Sequence, residues 1–205
     1  VTMTTLSAID TRRARLALVT ALFLAALSAP EAGATASTHL WAPSTDVQPF
    51  GVFHVTSDYY LPVELDAAGN RIATVTNLGL TVGVIPSKVF QAEVGVDHKS
   101  GLGVLDDDPM YGNVKFGVPE GALAKHSPAL AAGVYDIGTR SGRTDFDVFY
   151  AKAAFTVPAG ATNLGRLSVG WFLGNEDLLL DANGKKDNSG VLLAWERTMS
   201  ELSEK

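Results

Sequence analysis

From Ser37 onward the apolar residues of this chain recur at every second position rather than every 3.6. That period fits extended strands, whose side chains alternate between two faces, and not helices. Sorted by parity, residues 72–85 give Leu78, Leu80, Val82 and Val84 against Asn77, Gly79, Thr81 and Gly83. Residues 89–99 give Phe90, Ala92, Val94 and Val96 against Gln91, Glu93, Gly95 and Asp97. Residues 112–118 set Val114, Phe116 and Val118 against Asn113, Lys115 and Gly117. Residues 144–157 set Phe149, Ala151, Ala153 and Phe155 against Tyr150, Lys152, Ala154 and Thr156. The last two clean segments are 164–174, with Leu167, Val169, Trp171 and Leu173 opposed to Arg166, Ser168 and Gly170, and 189–198, with Val191, Leu193 and Trp195 opposed to Gly190, Ala194 and Glu196. Two further strands are expected at 47–56 and 129–138, the second with ambiguous parity around Tyr135 and Asp136. The fold class is therefore all-β and antiparallel, with about eight strands.

Alternation alone also describes a soluble β-sandwich or a lipocalin-like barrel. Three features favour an apolar face turned to lipid. The polar face carries small residues and isolated charges of both signs (Glu93, Asp97, Lys115, Lys152, Arg166, Glu196), as a crowded lumen does. The segments run about ten residues, the length a tilted strand needs to cross the hydrocarbon. The connections also alternate in length: 57–71, 100–111 and 175–188 are long, whereas 86–88 and 158–163 are short. Short turns on one side and long loops on the other are the habit of transmembrane barrels. The intermediate connection 119–128 and the short one expected at 139–143 fit that habit less well.

The first residues have a different character. Arg12, Arg13 and Arg15 precede an unbroken apolar run at 16–29, then Pro30 and a stretch of small residues in which Ala34 and Ala36 form an A-x-A site. Basic, apolar, small is the order of a secretory signal peptide. Residues 1–36 are thus expected to be a cleaved signal and 37–205 the exported domain. The apolar run is shorter than the roughly 20 residues a membrane helix needs. The chain has no cysteine, so neither disulfides nor thiol chemistry are available to it. Its net charge of −6 argues against nucleic acid as a partner.

The segments NLGLTVGVIPSKVFQAEVGVDHK (77–99), NVKFGVPEGAL (113–123), GRLSVGWFLGNEDLLLD (165–181) and DNSGVLLAWER (187–197) resemble porin-like outer-membrane β-barrels of proteobacteria whose substrate is uncharacterised. The resemblance spans most of the chain from about Phe50 and is one of strand rhythm, not of a catalytic signature. It implies a Gram-negative outer-membrane location and a barrel architecture, with membrane lipid and the barrel-assembly machinery as partners, and it implies no particular solute. Because the chain ends on a polar segment after Trp195 without a terminal aromatic residue, it is expected to lack its last strands.

No motif for catalysis stands out. His39, His54, His98 and His126 have no zinc-ligand spacing, and the chain has no nucleophile elbow and no phosphate loop. His54 and His98 are both assigned to the polar parity. Gly101-Leu102-Gly103 is expected to be a loop with no helix after it. Asp181, Asn183 and Asp187 are weak calcium candidates, since Gly184 falls too early for an EF-hand and two lysines intervene. A polar hairpin turn explains them better. Asp106, Asp107 and Asp108 are a second loop cluster of the same kind. An enzyme is not expected, nor any cofactor. The residues expected to matter are the lumen charges Glu93, Asp97, Lys115, Lys152, Arg166 and Glu196, which in a pore would set a transverse field. Three functions stay open: a passive pore, a non-conducting barrel that binds a surface or partner, and a secreted ligand-binding β-domain.

Overall fold

The computed structural model describes residues 38–39, 42–63, 65, 69–159, 162–181 and 183–197. The expected signal peptide lies outside the described residues. The described part consists of strands β1 (Thr38–His39), β2 (Ala42–Pro43), β3 (Phe53–Tyr60), β4 (Val75–Gly83), β5 (Gln91–Ser100), β6 (Met110–Val118), β7 (Ala129–Gly138), β8 (Val148–Ala159), β9 (Thr162–Leu173) and β10 (Ser189–Glu196). Strands β1 and β2 form a small antiparallel pair, and β3 to β10 form one antiparallel sheet in which every strand neighbours the next in sequence. The sheet is curled into a half-barrel. Among the described residues β3 and β10 are its two edges and do not pair with each other.

A meander of this kind sends successive connections to alternate rims. One rim carries the connections after β3, β5, β7 and β9; the other carries those after β4, β6 and β8. The rims are thus unequal, and the connection after β7 is longer than the 139–143 turn expected from sequence. Residues 144–147, included in the strand expected at 144–157, instead belong to this connection, where Thr144 Oγ1 accepts from the Arg140 amide (3.0 Å) and closes a turn. A short 3₁₀ helix, Gly103–Asp107, follows Gly101-Leu102, where the sequence suggested none.

Two departures from regular pairing have local causes. Gly112 faces Ile137 while Val114 faces Val134, so Tyr135 and Asp136 together oppose Asn113. This is a β-bulge, and Asp136 takes the left-handed conformation (φ 56°) that such an extra residue allows. It explains why parity is ambiguous there. The second shift, between Thr156 and Pro158, falls where proline has no amide hydrogen for the ladder.

The expected strand at 47–56 is corrected: β3 begins only at Phe53 and runs on to Tyr60. Residues 44–49 form no strand and are mostly buried, with Val47 and Gln48 among the most enclosed residues.

Candidate functional site

Local alternation gives the sheet one apolar and one polar face, and the exposure of the two is inverted relative to a water-soluble domain. Glu93, Lys115 and Lys152 are 3%, 5% and 3% exposed, whereas Val169, Trp171 and Leu193 are 50%, 54% and 73% exposed. The same holds along the whole sheet: Phe53, Val55, Leu78, Leu80, Val94, Val96, Phe116, Phe149, Phe155, Leu167 and Val191 all point outward. Charged residues are rarely buried unless paired, and a contiguous apolar surface of this extent marks an interaction with something other than water.

What covers the polar face is the chain's own segment 42–50, and it is held by the cations read from sequence as lumen charges. Lys152 Nζ donates to the Pro43 carbonyl (3.0 Å) and to His39 Nδ1 (3.2 Å). His39 Nε2 then donates to Glu196 Oε2 at 2.9 Å, which fixes the tautomer. Arg166 reaches Asp46 Oδ1 (2.7 Å) and Glu196 Oε1 (3.3 Å) with Nη1, and Thr45 Oγ1 (2.8 Å) with Nη2. Lys115 Nζ lies 2.8 Å from Glu93 Oε1 and donates to the Asp46 carbonyl (2.7 Å). The other Glu93 oxygen accepts the Gln48 amide (2.7 Å). Five of the six expected residues therefore form one network around this segment. Glycines make room for it: a Cβ on Gly83 would strike the Gln48 and Pro49 carbonyls, and one on Gly117 would meet Val47. A side chain from the rim joins in, since Glu120 Oε2 lies 3.7 Å from Arg166 Nε.

The sixth residue, Asp97, sits apart, toward the rim with the long connections. It accepts from Asn113 Nδ2 (2.7 Å) and Asn77 Nδ2 (3.2 Å), and Asn77 also reaches Asp58 Oδ2 at 3.5 Å. Nearby, Lys99 is paired with Asp136 and lies over the Tyr111 ring, 4.7 Å from its centroid. Together with Pro43 of the inner segment, Asp58, Asn77, Asp97, Lys99, Asn113 and Asp136 surround a cavity of about 110 Å³ that Tyr60, Tyr135 and Tyr150 also line.

Other sequence candidates are accounted for by local structure. Asp181 accepts the amides of Asn183 and Lys185 (2.8 Å each), which closes a turn with Gly184 at φ 74°. These amide donors hold its carboxyl below the usual range. Asp187 uses its amide to bond the Leu179 carbonyl. Asp106 caps the Gly101 and Leu102 amides, while Asp107 and Asp108 pair with Arg143 and Arg140 of the next loop on the same rim. His54 lies on the polar face beside Gln48. His98 does not: it shares the parity of Val94 and Val96 and opposes Met110, so its assignment to the polar face is corrected. Sequence reasoning missed His39, Asp46, Asp58 and the role of Asn77 and Asn113. Asn77 and Asn113 were on the polar parity, and correct bounds for β3 would have added Asp58. Nothing local marks Asp46.

Comparison with protein-family models, with curated proteins and with solved structures finds no match.

Proposed function

We propose that this protein is a transmembrane β-barrel of the bacterial outer membrane, exported by its N-terminal signal, whose polar interior is a restricted path for small polar solutes or ions. The observation that carries the reading is the inverted sheet: apolar residues outside along an eight-stranded half-barrel, with buried, paired charges such as Glu93 and Lys115 inside. In lipid the exposed apolar face is solvated by hydrocarbon and the strand backbone is satisfied by its neighbours. The inequality of the rims supports the same reading, with long connections on the outer side.

Closure of such a barrel needs more than these eight strands. An eight-stranded barrel has an interior that side chains alone fill. Here the polar face also accommodates the backbone of residues 42–50, and the β3 and β10 edges need partners before they can meet lipid. A second copy of the chain offers such strands.

A second reading, a non-conducting barrel, is favoured by that same inner segment, because it occupies the face that would line a pore. Refolding the full-length protein into lipid vesicles and recording in planar bilayers separates the possibilities. A pore gives defined conductance steps; a barrel closed by its inner segment inserts without them. A monomer that stays soluble without detergent would overturn the membrane reading altogether.

A further inference from the structure

His39 is held at both ring nitrogens. Lys152 Nζ donates to Nδ1 at 3.2 Å, and Nε2 meets Glu196 Oε2 at 2.9 Å. An ammonium only donates and an ionised carboxylate only accepts, so the ring is neutral, with its proton on Nε2. The same ammonium holds the Pro43 carbonyl at 3.0 Å. Lys152 of β8 thus fastens both strands of the small pair, β1 through His39 and β2 through Pro43, and neither acceptor is charged. The charged groups around the ring are already engaged. Glu196 of β10 is shared with Arg166 of β9 at 3.3 Å, and Arg166 also takes Asp46 at 2.7 Å and approaches Glu120 at 3.7 Å. Lys115 of β6 is paired with Glu93 of β5.

A second ring proton has only Nδ1 to go to, the atom that accepts from Lys152. There it sets an N–H donor against an ammonium 3.2 Å away, and attraction turns into repulsion. Glu196, on the far nitrogen, gains from the new charge and keeps Nε2 while the ring swings off Lys152. Histidine is the side chain that changes charge between about pH 5 and 8. We propose that His39 is an acid-released latch: its second proton breaks the Lys152 contact, leaves the β1–β2 pair on the Pro43 carbonyl alone and lets it lift from β8. Release stays local, because Thr45 and Asp46 keep Arg166 and the Gln48 amide keeps Glu93. Thr38, Ala42 and Pro43 line the cavity of about 110 Å³, so release widens that cavity. Gating of a solute path rests on the barrel reading; the latch itself does not.

The test is amide exchange of the refolded full chain in detergent micelles at about pH 7.5 and about pH 5.5, on either side of histidine's usual range and corrected for intrinsic rates. Protection at His39 and Ala42 should fall about tenfold or more in acid, as loss of a hydrogen bond to a charged group predicts. The Gln48 amide and the amides of β9 should hold theirs. His39→Gln keeps an acceptor for Lys152 and a donor for Glu196 but takes no proton, so its protection should be the same at both pH values. Lys152→Met should show the acid behaviour at both. His54→Gln changes the other histidine against the segment, 3.3 Å from Gln48 Nε2, and should keep the full acid response. Imidazole nitrogen spectra at neutral pH should place the His39 proton on Nε2. Protection indifferent to pH, an acid response that survives His39→Gln or vanishes in His54→Gln, a neutral ring protonated on Nδ1, or loss of β9 protection alongside that of His39 each overturns the proposal. In planar bilayers, conductance that rises in acid with His39 but not with Gln at that position puts the latch on a solute path. The same exchange behaviour without any conductance keeps the latch and removes the pore.

Discussion

Glu93 and Lys115 stand directly opposite each other on β5 and β6, carboxylate and ammonium 2.8 Å apart, both buried beneath the inner segment. Each also binds that segment, Glu93 through the Gln48 amide and Lys115 through the Asp46 carbonyl. The pair thus ties sheet and segment together. Removing one partner leaves a buried charge without compensation, which typically costs about 3–5 kcal/mol. Glu93→Gln and Lys115→Met should each destabilise the protein by that order, and the double substitution by clearly less than their sum. Denaturant unfolding of all three variants in micelles gives the coupling; additive losses would show that the two charges act independently.

The inside–outside assignment predicts a sharp positional contrast. Val94 and Val169 lie mid-strand on the apolar face, while Gln91 faces the other way near a strand end. Arginine at the bilayer midplane of a barrel costs about 2–4 kcal/mol on the lipid side and little on the wet side. Val94→Arg and Val169→Arg should block folding into vesicles, whereas Gln91→Arg should be tolerated, as read by gel mobility with and without heating. Equal damage from all three would place the lipid face wrongly.

If the interior is a path, residues 42–50 obstruct it. Deleting them should raise the single-channel conductance of the full-length protein, and Asp46→Asn should do so more weakly, because Arg166 keeps Glu196 and Thr45. Planar-bilayer recording decides. Conductance unchanged by the deletion would mean that ions do not pass along this face.

The Asp181 turn should be acid-sensitive. Hydrogen bonds from the Lys185 and Asn183 amides favour the ionised carboxylate, so its folded pKa lies below the unfolded value of about 3.9. Stability from this turn is then fully present above that value and lost as pH falls through the lower, folded pKa. Amide-exchange protection at Asn183 and Lys185 should decline over that acidic window. In Asp181→Asn, which has no carboxyl to titrate, protection should not follow pH there.

The alternation of Leu78, Leu80 and Val82 with Asn77, Gly79 and Thr81 is a local property, so it was enough to fix strand, face and polarity. It also placed Glu93, Asp97, Lys115, Lys152, Arg166 and Glu196 on one side, because a period of two leaves no other choice once the bounds of a strand are right. Where a bound was wrong, as at 47–56, Asp58 was lost with it. Partnership was a different matter. That Glu93 meets Lys115 depends on the register of β5 against β6, and that Asp97 meets two asparagines depends on three strands lying in order. The bulge at Tyr135–Asp136 shifts the register of β7 against β6 in a way a single strand's pattern cannot express. The inner segment shows the limit most clearly. Residues 42–50 have no pairing period of their own, and their place is decided by cations more than sixty residues away, Lys115, Lys152 and Arg166, whose burial becomes affordable only when Asp46 and the Pro43 carbonyl arrive to meet them.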